Sequence, residues 1–314
     1  MQDIVLGRYS SSLQYKWDDF VEKSRNGIFL FKRKFMDYHS DRFVDNSFIF
    51  YEKDQIIAVL PANLDNQTLY SHQGLTYGGM IVGASMKQEK MIECFFLIIE
   101  YMKKNRIQKL IYKQVPYIFS NYPSQEDEYA LFRFGAKLLK VEPSSVINLK
   151  NSLKMAKGRK AQISRATREG VSIALTDNFS DFIELENKVL MRHNTKAVHT
   201  SSELELLHSR FPQEIQLIAA IKENKTIAYA LFFVYKNSVH VQYMASDEDG
   251  RKYGGLDLII KFSIDKFTSE NKEFFDFGIS CENAGRILNT GLISEKEGFG
   301  ARTVCLQTWE LELT

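Results

Sequence analysis

The spacing of apolar positions divides the chain into two halves that show the same order of secondary-structure elements. In the first half, apolar runs on either side of residues 52–55 predict a β-hairpin. Apolar positions at helical spacing over 87–105 predict a helix that ends in cations. In the second half, the same patterns predict a hairpin around 223–225, a strand over 238–246 and a helix after Gly255. Strands and helices mixed in this way are typical of an α/β (α+β) protein.

Two tripeptides occur once in each half and in the same order. Tyr-Gly-Gly lies at 77–79 and again at 253–255, and Phe-Gly-Ala lies at 134–136 and again at 299–301. Each Tyr-Gly-Gly lies between an apolar run and a predicted helix, where a glycine pair permits a tight turn or a close backbone approach. The matched order of elements and tripeptides indicates that the chain holds two copies of one α/β lobe.

The pattern predicts a boundary between the lobes at residues 148–151, which gives a first lobe over 1–150 and a second over 151–314. A basic helix is predicted from about Ser152 to Gly170, because glycine commonly ends a helix. The chain has only 5 Pro and 17 Gly, which argues against long linkers. We therefore expect the second lobe to follow the first directly.

Composition excludes some classes of protein but identifies none. Hydrophobic residues make up 44% of the 314 residues, and the net charge of +2 is too balanced to predict a nucleic-acid or membrane partner. Cys94, Cys281 and Cys305 form no CxxC pair and the histidines form no HExxH pattern, so no metal site is expected. No signal peptide is visible, and the apolar runs are shorter than the roughly 20 residues of a membrane-spanning helix. A cytoplasmic protein is expected.

The stretch "VQYMASDEDGRKYGGLDL" carries the strongest chemical signal. An apolar strand runs into a loop that contains Arg251, Lys252, Tyr253, Gly254 and Gly255, and this loop opens a helix. The first N–H groups of a helix are unpaired and lie at its positive end, so this corner suits an anion such as a pyrophosphate. The alternative is a solvated turn, and the pattern of a P-loop is absent.

The spacing of Arg251 and Gly254 resembles the first part of the Arg/Gln-x-x-Gly-x-Gly/Ala loop of the GNAT acetyltransferases, although Leu256 stands where that pattern ends in Gly or Ala. The order of hairpin, strand, glycine loop, helix, strand, helix and strand resembles a GNAT lobe. Two such lobes in tandem, with "DFGIS", "LNTGL" and "KEGFGA", resemble the FemAB-like acyltransferases from about Trp17 to Leu313. That superfamily includes peptidoglycan bridge-forming aminoacyltransferases.

The resemblance implies two tandem GNAT-like lobes, each a mixed, mostly antiparallel sheet flanked by helices. It also implies transfer of an acyl group from acetyl-CoA or another acyl-CoA to an amine or hydroxyl of a small or cell-surface-related acceptor, such as an amino sugar. The donor would bind at residues 251–255. In GNAT-like lobes the strand that bears "QYMAS" splays from its neighbour, so the backbone of Met244 and Ala245 is expected to hold the acyl carbonyl. No metal is required.

Three side chains are candidates for catalysis. Tyr243 is a candidate to protonate a leaving group, and its alternative is a half-buried strand tyrosine. Asp276, within an aromatic run, is either a base of raised pKa or a structural hydrogen-bond acceptor. Glu282 lies on the loop after this strand, where substrate contacts often arise. By contrast, Lys296 and Glu297 are interpreted as an exposed pair on a helix.

His72 and Tyr77, in the glycine-rich loop of the first lobe, are candidates to bind the acceptor. The alternative for His72 is a loop histidine with satisfied hydrogen bonds. His193 and His199 flank a polar segment and receive no role, and His240 is interpreted as structural.

The basic helix has two interpretations, a solvated face or a patch for an anionic ligand such as a nucleotide-linked sugar, a tRNA backbone or a polyanionic acceptor. Its six cations are Lys154, Lys157, Arg159, Lys160, Arg165 and Arg168. Arg159 is taken as a candidate for substrate binding. Two alternatives to an acyl-CoA enzyme stay open: a transferase that uses aminoacyl-tRNA on a cell-wall precursor, and a non-catalytic GNAT-fold binding module. The chain lacks the helical arm that some bridge-forming enzymes insert for tRNA contact.

Overall fold

A computed structural model describes residues 4–191 and 195–313. The chain divides into two compact units. The first comprises Met1–Glu142 together with Cys305–Thr314, and the second comprises Pro143–Val304. The end of the chain was expected in the second lobe, but it belongs to the first unit.

The first unit contains four helices and two sets of paired strands. Its helices are α1 (Gln14–Lys23), α2 (Arg33–Met36), α3 (Gln88–Lys104) and α4 (Glu126–Arg133). Its strands are β1 (Ile4–Arg8), β2 (Phe48–Glu52), β3 (Gln55–Leu60), β4 (Asn63–Asp65), β5 (Thr68–Tyr70), β6 (Ile81–Val82) and β7 (Lys109–Lys113). Strands β1, β2, β3 and β6 pair antiparallel in that order, whereas β5 pairs antiparallel with β4 and parallel with β7.

The apolar patterns of the first half belong to residues that are buried in the core of the first unit. The β2–β3 hairpin predicted around 52–55 is confirmed, and helix α3 lies within the segment 87–105 that was predicted as a helix. Met91, Phe95, Ile98 and Met102 lie three or four residues apart and are buried together on one face of α3. This face packs with the strands into one hydrophobic cluster.

The second unit is built on one twisted sheet. Its helices are α5 (Lys157–Arg168), α6 (Phe179–Leu190), α7 (Ser201–Arg210), α8 (Glu248–Tyr253), α9 (Gly255–Ser269) and α10 (Thr290–Glu297). Its strands are β9 (Ser172–Thr176), β10 (Ile215–Lys222), β11 (Lys225–Val234), β12 (Ser238–Ser246), β13 (Phe274–Ile279), β14 (Cys281–Glu282) and β15 (Ile287–Leu288). Two further strands, β8 (Lys137–Asn148) and β16 (Arg302–Glu312), have residues in both units.

Strand pairing in this sheet is mostly antiparallel. Within the second unit the order is β8, β13, β12, β11, β10 and β9, and only β12 and β13 run parallel. In the first unit, β16 pairs antiparallel with β7. Mixed, mostly antiparallel sheets flanked by helices agree with the predicted fold class.

The glycine-bearing loop predicted after β12 is a short helix instead. Asp247 caps α8 by accepting a hydrogen bond from the amide of Gly250, and Gly254 ends α8 in the left-handed conformation at φ 76°. A Cβ at Gly254 would lie 2.8 Å from the backbone oxygen of Gln162 on α5. Gly254 is therefore required both by its conformation and by the close approach of α5.

Candidate functional site

The second unit contains a gap where two parallel strands separate. Strands β12 and β13 pair only from Ser238 to His240, whereas β12 continues to Ser246 with β11 on its other side. The splay expected of the strand that bears "QYMAS" is therefore present. Beyond His240, the side of β12 away from β11 faces space that β13 no longer fills.

The direction of the backbone amides follows from the hydrogen-bond ladder. Asp247 donates its N–H to the oxygen of Ile227 on β11, at 3.1 Å. Because amides along an antiparallel strand point alternately to its two sides, the amide of Ala245 also faces β11. The amide of Met244 then points to the opposite side, into the gap. Of the two residues expected to hold an acyl carbonyl through their backbone, Met244 has the required direction.

A cavity of about 180 Å³ lies beside this part of β12. Apolar side chains of Met244, Leu256, Ile260 and Phe277 form part of its wall. Its charged lining residues are Arg159, Asp257, Glu295 and Lys296. The cavity therefore combines apolar walls with a small number of convergent charges, which is typical of a ligand site.

Lys296 is the most unusual of these charges, because only 4% of it is exposed. Its Nζ donates hydrogen bonds to the backbone oxygens of Gly278, at 3.0 Å, and Ile279, at 2.7 Å. Burial lowers the pKa of Lys296 to about 8, although the charge of Asp276 opposes this effect. Because both partners are acceptors, the geometry suits the ammonium form. The interpretation of Lys296 as an exposed helix residue is wrong.

Arg159 connects the cavity to helices α9 and α10. Its guanidinium lies 2.9 Å from a carboxylate oxygen of Asp257 and 3.2 Å from one of Glu295, and it lies over the ring of Phe299. Burial raises the pKa of Asp257, while Arg159 counteracts this effect. Asp257 is in the first turn of α9, so the positive end of this helix already faces a carboxylate of the chain.

The other predicted donor contacts lie in α8 and at the start of α9, outside the cavity wall. Arg251 is exposed and donates to the backbone oxygen of Ser246 at 2.9 Å. Lys252 is exposed, with its Nζ 4.7 Å from the ring centroid of Tyr253. Gly254 and Gly255 are buried. Their close contacts are with α5 and with the sheet, respectively.

Asp276 is fully buried and its carboxylate has several donors. It accepts hydrogen bonds from the hydroxyl of Ser144, from Nδ1 of His240 at 2.7 Å and from the amide of Gly278 at 3.0 Å. Burial alone would raise the pKa of Asp276, but His240 and these hydrogen bonds outweigh it and hold the pKa below its ordinary value. Of the two alternatives stated for Asp276, this geometry is that of a structural acceptor.

Tyr243 and Glu282 lie apart from the cavity wall. Consecutive side chains of a strand point to opposite faces, so Tyr243 faces away from the side on which Met244 lines the cavity. The Tyr243 hydroxyl lies 2.7 Å from Nδ1 of His199, and burial raises the pKa of Tyr243 to about 12. Glu282 is exposed on β14, where its carboxylate accepts a hydrogen bond from Asn289 at 3.3 Å.

The predicted acceptor contacts of the first unit are buried within that unit. His72 adopts a left-handed φ of 71° and stacks on His39, and its Nδ1 has no hydrogen-bond partner among the described residues. Burial lowers the pKa of His72 to about 3. Tyr77 is buried and packs against Phe119, with ring centroids 4.7 Å apart. His193 lies outside the described residues.

Two further properties concern metals and membranes. Within residues 4–191 and 195–313, no group of three or more His, Cys, Asp or Glu side chains is arranged to hold a metal ion. The described helices are all too short or too polar to cross a bilayer.

Comparisons with known proteins give matches at the level of structure. No family model matches the chain, and no curated protein is significantly similar to it in sequence. The structure of FemX superposes with a TM-score of 0.70 at 10% identity, covering 98% of this chain and 97% of that one. L-PGS from Bacillus licheniformis gives a TM-score of 0.63 at 15% identity, covering 95% and 91%.

A third solved structure has a printed description that names the fold. A tandem GNAT protein from the clavulanic acid biosynthesis pathway gives a TM-score of 0.55 at 11% identity, covering 99% of this chain and 98% of that one. At such low identities the similarity shows the fold alone, and it confirms the expected arrangement of two GNAT-like lobes.

Proposed function

Because the chain has the FemAB-like fold of two tandem GNAT lobes, we propose that it transfers an acyl group from an activated donor to an amine or hydroxyl acceptor. The observation that carries this proposal is the buried ammonium of Lys296 at a cavity that also borders the splayed strand. The splay turns the amide of Met244 towards the same side.

This arrangement meets the main electrostatic requirement of acyl transfer. Attack on an ester or thioester carbonyl builds negative charge on the carbonyl oxygen, and preorganised donors at that oxygen lower the barrier. In the proposal, the amide of Met244 and the ammonium of Lys296 are these donors. Two hydrogen bonds to backbone oxygens fix the ammonium and leave its third N–H for the reacting group. The neutral amine or hydroxyl of the acceptor attacks the bound donor directly, without a covalent intermediate on the protein. As the new C–N or C–O bond forms, the ester or thioester bond breaks, and the carrier leaves with the proton that the acceptor loses.

The charges at the cavity favour an aminoacyl group over acyl-CoA as the donor. Asp257 and Glu295 share the single guanidinium of Arg159, so these two carboxylates retain negative charge that complements the ammonium of an aminoacyl group. A coenzyme A pyrophosphate at the start of α9 would instead meet the carboxylate of Asp257. The resemblance to bridge-forming aminoacyltransferases supports the same choice, with a tRNA as carrier and a cell-wall precursor or similar amine as acceptor.

The exposed side of α5 supports a tRNA carrier. Lys157, Lys160 and Arg168 are exposed, and no carboxylate in the described part of the chain lies within ion-pair distance of them. Cations that lack a protein partner are available to neutralise phosphates, and such binding weakens steeply with salt. Arg159, on the same helix, points to the cavity, so α5 would connect the RNA surface to the reacting group.

Transfer from acetyl-CoA is the second candidate. The apolar wall formed by Met244, Ile260 and Phe277 suits a small acyl group. The residues predicted to hold the coenzyme, 251–255, would then contact its phosphates from the corner between α8 and α9.

The donor is identified by titrating the purified protein with charged tRNA, uncharged tRNA, coenzyme A and acetyl-CoA. We expect charged tRNA to bind with a strong salt dependence, and the Lys157→Glu, Lys160→Glu double variant to bind it at least tenfold more weakly. Lys16→Glu, at an exposed position of α1, is the matched control and should bind as the wild type does. Binding of acetyl-CoA without tRNA would select the second candidate. If no donor binds, the transferase proposal is wrong and a binding module is favoured.

A further inference from the structure

Helix α6 carries the carboxyl group of Glu186 on its buried and otherwise apolar face. Its buried residues are Phe179, Phe182, Ile183 and Glu186, which lie three or four positions apart on one face. Only 4% of Glu186 is exposed. A carboxyl group so placed must be neutral, paired or kept for a ligand, because burying an unpaired charge is costly.

Within residues 4–191 and 195–313, one oxygen of this carboxyl group is left without a partner. Its Oε2 is buried and has no hydrogen-bond partner among the described residues. Burial raises the pKa of Glu186 to about 7, and no cation in the part of the chain that the structure describes offsets that rise. Buried polar atoms are nearly always hydrogen-bonded, so an unpaired one requires an explanation such as a bound ion or ligand.

A second unpaired acceptor lies on β12, the strand that α6 covers, at a β-bulge. Gln242 has no residue opposite it on β11, so the alternation of side chains is interrupted there and Gln242 can lie on the same face as Tyr243. Oε1 of Gln242 is buried and also lacks a hydrogen-bond partner in the described structure. Gln242 and Glu186 both affect the pKa of Tyr243, the former through a hydrogen bond and the latter through its charge. Two acceptors without donors therefore flank the same tyrosine.

Aromatic rings and further titratable groups complete the surroundings. Phe182 lies 6.1 Å from Tyr243 and 5.9 Å from Tyr229, measured between ring centroids. His199 lies with its Nδ1 2.7 Å from the Tyr243 hydroxyl. Among residues 4–191 and 195–313, the titratable groups around Tyr243 are Glu186 from α6 and His199 from the segment before α7, and Tyr229 lies on the neighbouring strand beside Phe182. A carboxylate, an amide oxygen and aromatic faces together complement a cation that carries N–H donors.

We propose that Glu186, Gln242 and Tyr243 form a binding site for the ammonium group of a primary amine. Tyr243 immediately precedes Met244, so the site lies across β12 from the cavity that holds Lys296.

Proton release on binding tests this site independently of catalysis. Because Glu186 is mostly protonated at pH 6, an ammonium ligand must displace its proton, whereas at pH 8 the carboxyl group is already ionised. We would titrate the full chain with ethanolamine by calorimetry in buffers of different ionisation enthalpy, at both pH values. We expect release of close to one proton at pH 6 and almost none at pH 8. N-acetylethanolamine, which has no ammonium group, should not bind.

Two variants separate the site from the proposed reaction. Glu186→Gln should abolish the proton release and weaken ethanolamine binding at least tenfold, while Lys296→Met should leave both unchanged and impair transfer. Unchanged proton release in Glu186→Gln, or equal binding of the acetylated ligand, would overturn the ammonium site. Absence of binding, as expected if water alone satisfies these oxygens, would overturn it too. Full transfer by Lys296→Met would refute the proposed function and leave this site standing.

Discussion

Asp276 and Lys296 are connected through a single backbone segment of β13. The carboxylate of Asp276 accepts the hydrogen bond of the Gly278 amide, and the Gly278 oxygen accepts a hydrogen bond from Nζ of Lys296. The negative charge of Asp276 also favours the protonated form of Lys296. Asp276, which is a candidate for catalysis in the sequence, therefore affects the position and the charge of Lys296.

The Asp276→Asn variant tests this connection. Removing the charge should lower the pKa of Lys296 below about 8, so the loss of activity at high pH should begin at a lower pH than in the wild type. Breaking this buried network should also reduce the free energy of unfolding by roughly 3 kcal/mol. Rate profiles from pH 6 to 9 and urea unfolding measure the two effects. Asp265→Asn, on the exposed side of α9, is the control; an identical profile for both variants would contradict the connection.

The pH dependence of stability should reveal Glu186. Its pKa is raised in the folded state, so the folded protein keeps this proton between pH 4.5 and about 7 while the unfolded chain has lost it. Stability should therefore fall as pH rises through this window, by at most about 3 kcal/mol for this group. Glu186→Gln removes that contribution and should be more stable than the wild type at pH 8. Parallel stability curves for the two proteins would show that Glu186 has an ordinary pKa.

A comparison of Gly254 with Gly135 tests whether the corner between α8 and α9 needs a glycine for the close approach of α5. Both have φ near 80°, but a Cβ at Gly135 would meet nothing within 4 Å, whereas one at Gly254 would lie 2.8 Å from a backbone oxygen. Gly135→Ala should cost the roughly 1–2 kcal/mol of a left-handed alanine. Gly254→Ala should lose clearly more in urea unfolding. Equal losses would mean that α5 can move away, and that Gly254 is free to serve a donor instead.

Much of the fold was predictable because the local spacing of apolar residues indicates its helices and strands. The hairpin β2–β3, the helix α3 and the strand β12 follow directly from the spacing of apolar residues. The helix α8 was missed although its signals are present: Asp247 is a good cap, and acidic and then basic residues follow in the order that a helix dipole favours. The glycines at 250, 254 and 255 favour a turn in the same stretch and therefore oppose these signals.

The site was less predictable because burial of a charge depends on distant parts of the chain. Lys296 lies one helical turn before the buried Phe299, which is a weak local signal of a core-facing position. Glu186 continues the apolar stripe of α6, and that irregularity is visible in the sequence. No local pattern, however, predicts which strands separate. The splay of β12 from β13 is the reason why Met244 and Lys296 are candidates for the site.

The transfer rate of Lys296→Met tests the central claim most directly. A single-turnover assay would use whichever donor binds, together with an amine acceptor, and compare this variant with Lys296→Arg and with Lys261→Met. Lys261 is on α9 in an exposed ion pair with Asp265, so its loss controls for removal of a lysine. We predict a rate lowered about 100- to 1,000-fold in Lys296→Met, as for loss of one oxyanion donor. Smaller losses are expected in Lys296→Arg and none in Lys261→Met. A folded Lys296→Met protein with the wild-type rate would contradict acyl transfer at this cavity.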